Sequence, residues 1–138
     1  MTGVLLLVGV LLLSTACGLL HRSRSGRVRE VAGGQSLLPE LAGLGAAPGE
    51  RATLVQFSSA FCAPCRETRR VLGEVTALVP GVAHVEVDAE QHLDLVRRLD
   101  VRTTPTTLVL DAAGREVKRA AGQPRKADVL AALGEALP

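Results

Sequence analysis

ATLVQFSSAFCAPCRETRRVL, residues 52–72, contains two changes of pattern and one pair of cysteines. Ala52 to Phe57 is a short, mostly apolar run of the kind that forms a strand covered on both faces. From Cys62 or Ala63 onward the apolar residues recur at helical spacing. Val71, Leu72, Val75 and Leu78 share one face, and Pro80-Gly81 stops the pattern. A strand therefore runs through a short loop into a helix, with Cys62 and Cys65 at the junction. Two cysteines so placed are either a redox dithiol or half of a zinc site.

Working outward toward the C-terminus, Val82 to Asp88 alternates apolar and polar residues as a strand does, and an amphipathic helix follows with Leu93, Val96 and Leu99 inward. Thr106 to Asp111 and Arg115 to Ala121, joined by the Ala112-Ala113-Gly114 turn, predict a hairpin. The last helix opens near Pro124, where a missing N–H costs least. On the N-terminal side, Leu37, Leu38, Leu41 and Leu44 predict a short helix over residues 36–45. The order strand, helix, strand, helix, strand, strand, helix is that of an α/β sandwich: a mixed sheet of four to five strands, built from a βαβ half and a ββα half.

The chemistry of the pair follows from the helix start. A thiolate is the nucleophile in disulfide exchange, and a free cysteine with a pKa of about 8.5 is mostly thiol at neutral pH. The unpaired N–H groups and dipole of a first helical turn stabilise the anion. Cys62 falls there, Pro64 fits an early helical position, and Cys65 lies one turn on, placed to resolve a mixed disulfide formed at Cys62. Zinc needs four ligands. Beyond this pair the domain offers only His84 and His92, and Cys17 sits inside an apolar run. The redox dithiol is the better reading, with no metal and no organic cofactor expected.

On these residues the chain resembles the thioredoxin family, from about Ala52 to Leu137. CAPC stands for the family's CGPC, and TTPT (103–106) sits where the family has its cis-proline loop. DAAGREV looks like its hairpin turn, and Gly122 matches the glycine after its last strand. The resemblance implies a thioredoxin-like fold and a thiol–disulfide oxidoreductase, foremost a protein-disulfide reductase. Cys62 and Cys65 would be catalytic, with Phe61, Ala63, Pro64, Thr104 and a cis Pro105 contacting substrate. An oxidase or isomerase on the same fold, or a CxxC binding module, are the alternatives. Protein disulfides and a separate electron donor are the expected partners, and the chain is expected to be a monomer. The departures are specific. Phe61 replaces the family's tryptophan, Arg70 its helix-kinking proline, and Gln56 its buried acid. His84 stands at that acid's lysine partner and is the candidate for proton transfer. The stretch between Cys65 and Pro105 has no room for the insertion typical of membrane-anchored reductases in cytochrome maturation.

Composition bounds the rest. The 138-residue chain is 47% hydrophobic with two Phe and no Trp or Tyr, so its core is aliphatic. Of 16 basic residues, Arg22, Arg24, Arg27 and Arg29 crowd one segment, and beyond Gly33 the chain has 12 basic against 13 acidic residues. A neutral domain without stacking aromatics has no nucleic-acid footprint. Gly3 to Leu20 is uncharged and apolar, and as a helix spans roughly 27 Å, near the thickness of a bilayer's hydrocarbon core. The expected organisation is a transmembrane anchor at 3–20, a basic juxtamembrane linker at 21–35, and the α/β domain at 36–138. Basic residues after the span and none before it place the domain on the cytoplasmic side. The alternative is cleavage and lipidation at Cys17, with the domain outside.

Overall fold

A computed structural model describes residues 1–24, 26–31 and 34–138, with the backbone alone at Arg24. Ser25, Ala32 and Gly33, all within the segment read as a linker, lie outside the described residues.

Among the described residues ten elements follow in order: α1 (Thr2–Arg24), β1 (Val28–Glu30), α2 (Leu38–Gly43), β2 (Ala52–Ser58), α3 (Ala63–Leu78), β3 (Val82–Asp88), α4 (Leu93–Arg98), β4 (Thr106–Asp111), β5 (Glu116–Ala121) and α5 (Lys126–Ala136). The five strands form one mixed sheet in the order β1-β5-β4-β2-β3, in which only β2 and β3 run parallel. The α/β sandwich expected from the pattern is the fold observed.

Alternation along β2 assigns its side chains to two cores. Val55 and Phe57 pack with Leu37, Leu41, Val87, Leu108 and Leu110. Ala52 and Leu54 pack with Leu72, Val75, Val109, Val129 and Leu133, beneath α3 and α5. The same alternation puts Gln56 on the α3 side, fully buried. The hairpin turn is held by Asp111, whose Oδ1 accepts from the N–H groups of Ala113 and Arg115.

Three details differ from the sequence reading. Leu78 and Leu93 are exposed, at 61% and 52%, and Leu95 joins Val96 and Leu99 against the core. Both exposed residues sit at helix ends, where a side chain can clear the sheet while keeping the helical period. Within the segment read as a linker, Val28–Glu30 forms β1 by pairing antiparallel with β5, register Val28↔Ala120. Its ladder comes from the edge of β5, so local composition gave no sign of it. The N-terminal helix runs to Arg24, past the last apolar residue at Leu20, and its Cys17 is exposed and unpaired with another cysteine. Among the described residues, Thr2–Ser23 is one helix long and apolar enough to cross a membrane.

Candidate active site

β2 ends at Ser58, and four residues later Cys62 is the N-cap of α3, in an extended conformation (φ −95°, ψ 98°). Its Sγ accepts the Cys65 N–H at 3.2 Å, which occupies one of the donors a helix start leaves unpaired. Pro64 lies in the first turn, as the sequence reading placed it. Cys62 and Cys65 are joined as a disulfide, Cα–Cα 5.2 Å. Cys62 is half-buried and Cys65 is 1% exposed, so Cys62 is the more accessible of the two. Phe61 adopts φ +57°, a left-handed conformation uncommon for a bulky residue, and its ring is fully exposed next to Cys62. Ala63 is exposed on the same rim.

The loop before β4 closes the other side. The Thr104-Pro105 bond is cis, and Pro105 is buried. Phe57 pairs with Thr106, which brings this loop to the cysteine end of the sheet. Ser59 and Thr104 share a hydroxyl–hydroxyl bond of 2.8 Å across 45 residues of sequence. Gly122 N–H donates to the Pro105 carbonyl at 2.8 Å, and the Thr106 hydroxyl donates to the Thr103 carbonyl at 2.7 Å.

Beneath Cys65 lies a polar network centred on Gln56. Its Nε2 donates to the Cys65 carbonyl at 2.8 Å and to Ser58 Oγ at 2.9 Å, leaving Oε1 to accept from His84 Nε2 at 3.0 Å. With both amide hydrogens so used, His84 must carry its proton on Nε2, an assignment made from the bonding pattern. Burial holds the His84 imidazole below its ordinary value; Glu86 opposes this and Arg69 adds to it. Glu86, opposite Gln56 in the β2–β3 register, takes a two-pronged bond from Arg69, 2.5 Å on each side. That bond, chiefly, keeps the Glu86 carboxyl below the usual carboxylate range, and Ser58 contributes a further hydrogen bond.

The candidates from sequence thus fall in two places. Phe61, Cys62, Ala63, Pro64 and Thr104 lie at the cysteine end of the sheet with Cys65 and Pro105 buried among them, and His84 sits behind, reaching Cys65 through Gln56. His92 is apart, its Nδ1 bonded to the Asp88 carbonyl at 3.0 Å. Ser58, Ser59, Arg69 and Glu86 were missed, because their parts depend on register and on contacts distant in sequence. Among the described residues no three His, Cys, Asp or Glu side chains gather as a metal-ligand group.

Comparison with known proteins bears on this arrangement. The family model described as Thioredoxin matches residues 46–135. Thioredoxin H5 of Oryza sativa subsp. japonica is 32% identical over 60 residues, 44% of each chain. A thioredoxin of Mycolicibacterium smegmatis is 34% identical over 87 residues, 61% of this chain and 77% of the relative. The chain spans less than two thirds of two rice relatives, 44% of thioredoxin H5 and 63% of thioredoxin H4-1. Thioredoxin NaTrxh from Nicotiana alata superposes with a TM-score of 0.60 at 23% identity, covering 75% of this chain and 89% of that one. Fasciola hepatica thioredoxin gives 0.58 at 22%, covering 72% and 90%. These structural likenesses speak to the fold, and the match over residues 46–135 speaks to descent: the chain belongs to the thioredoxin family.

Proposed function

We propose that the protein is a membrane-tethered thiol–disulfide oxidoreductase that reduces protein disulfides. The observation that carries the reading is the Cys62/Cys65 pair itself: joined at a helix start, the first cysteine half-buried and the second fully buried, at the end of the sheet that holds the cis-proline loop. In the reduced enzyme the Cys62 thiolate attacks one sulfur of a substrate disulfide. A Cys62–substrate disulfide forms, and the displaced substrate thiolate takes a proton from solvent. The Cys65 thiolate then attacks Cys62 Sγ, restoring the internal disulfide and releasing the second substrate thiol. Two electrons pass to the substrate, and a dithiol donor returns the enzyme to its reduced state.

The N–H groups at the start of α3 favour the Cys62 thiolate. Thr104 and Pro105, with Phe61, Ala63 and Pro64 on the rim, receive the substrate segment. His84 touches neither sulfur, so we assign it a positioning role: its Nε2–H holds Gln56, which holds the Cys65 carbonyl. The length and apolarity of α1 support a membrane anchor, and the arginines after it favour a domain on the cytoplasmic side, where a reducing pool supplies electrons.

The test is reduction of insulin by the full chain with a dithiol donor, together with the enzyme's potential against a glutathione series. Cys62→Ser should abolish turnover and Cys65→Ser should accumulate mixed disulfides. A potential well above that of the glutathione pool would replace the reductase assignment with an oxidase one.

A further inference from the structure

The membrane helix and the cysteine pair meet the sheet at the same end. β2 ends, and β4 begins, at the cysteine end through Phe57↔Thr106; Thr106 pairs with Ala121 at the end of β5, and Val28 opens β1 opposite Ala120. Gly26, between α1 and β1, donates its N–H to the Ala121 carbonyl at 2.6 Å. Its φ is +80°, and a Cβ there would stand 2.0 Å from the Gln123 carbonyl oxygen. The chain leaving α1 is thus pressed against the entry to α5 as closely as glycine permits. From β1 to β2 is three strand spacings, roughly 15 Å, so the cysteine end lies close beside the exit of the membrane helix.

At this junction an open cleft of about 670 Å³ is lined by Arg22, Arg27, Arg70, Arg125, Lys126 and Asp128, among other residues. Asp128 pairs with Arg125, Glu74 with both Arg70 and Lys126, and Glu67 with Arg70. Five cations therefore face three carboxylates. The surplus rests on Arg22 and Arg27, both exposed, which form no ion pair among the described residues. Arg22 is two residues past Leu20, about 3 Å along the helix axis. A cleft at that height opens among lipid headgroups when α1 spans a bilayer.

We propose that this cleft seats the phosphate of an anionic phospholipid, and that the seated domain keeps the Cys62 end of its sheet next to the bilayer. Resting on the oxidoreductase reading above, this makes disulfides of membrane-borne proteins the favoured substrates. The experiment uses the full chain in nanodiscs of phosphatidylcholine, with and without phosphatidylglycerol. Hydrogen exchange at residues 125–127 is followed, with the reduction rates of soluble insulin and of a disulfide peptide tethered to the disc lipid. Phosphatidylglycerol should slow the exchange about five-fold or more, the size set by one arginine–headgroup contact. It should also raise the tethered-peptide rate relative to insulin. The double variant Arg22→Gln/Arg27→Gln should lose both effects and keep its insulin rate. Equal exchange in the two discs, or an effect that survives in the double variant, would overturn the proposal. So would equal protection by inorganic phosphate on phosphatidylcholine discs, which would assign a small-anion site instead. Failure to reduce insulin in every disc would refute the oxidoreductase reading, while the exchange data would still judge the cleft.

Discussion

Gln56 is the residue on which the site's interior turns. It occupies a fully buried position, and each of its side-chain groups has a partner. Thr107, opposite it on β4, has a buried hydroxyl with no partner. Burying an unpaired hydroxyl is costly, and a methyl of the same shape is not. We predict that Thr107→Val stabilises the fold by about 1 kcal/mol in urea denaturation, within the range for such groups. A loss of stability would show that the hydroxyl is satisfied in solution. His84 supplies a pH-dependent counterpart. Because burial lowers its pKa, the unfolded chain takes up the proton first as pH falls. Its neutral state costs nothing above the ordinary value of 6.5, and stability drains away progressively below it. In His84→Gln the side-chain amide can still donate to Gln56 and cannot titrate. Between pH 7 and 5.5, wild type should lose more stability than this variant, and parallel curves would remove His84 from the account.

At the scale of elements, the cis-proline loop between α4 and β4 is held from two directions. Ser59 holds Thr104 from the cysteine side. From β5, Arg119 donates to the Leu99 carbonyl at 2.7 Å, capping α4 just before Asp100 turns the chain at φ +51°. Glu116 grips the same guanidinium through Nε at 2.5 Å and Nη2 at 2.9 Å, which fixes its direction. Arg119→Met keeps the apolar stem and removes the cap. The expected loss of stability is on the order of 1 kcal/mol, discounted because the pair is partly solvated. The more telling result should be a raised KM for insulin with an unchanged rate of Cys62 alkylation. An unchanged KM would mean that Ser59 holds the loop without help.

For the whole molecule, the question is which compartment the cysteines face. Arg22, Arg24, Arg27 and Arg29 directly follow the apolar run of α1. Cationic flanks stay on the cytoplasmic side, so we predict that protease added to intact cells leaves the domain whole and that the mature chain retains Met1 or Thr2. Digestion from outside, or a mature N-terminus at Cys17, would move the domain across the membrane. Its electrons would then have to cross through another protein, while the Cys62/Cys65 exchange would stand unchanged.

The elements that local physics governs were legible in the chain. The apolar run at 52–57, the helical period after Cys62, the Pro80-Gly81 stop and the turn at 112–114 each act within a few residues, and each appears where the pattern placed it. The cysteine pair was legible for the same reason, since its spacing is that of one helical turn. β1 was not, because three residues reading Val-Arg-Glu become a strand only when the edge of β5 is there to pair with. Nor were Leu93 and Leu95 separable by period alone, as the tilt of a six-residue helix against the sheet decides which faces inward. The bond between Ser59 and Thr104, and the path from His84 through Gln56 to Cys65, depend on strand register and chain crossing. A sequence shows which residues could make such bonds; only packing the sheet against α3 brings their atoms within reach.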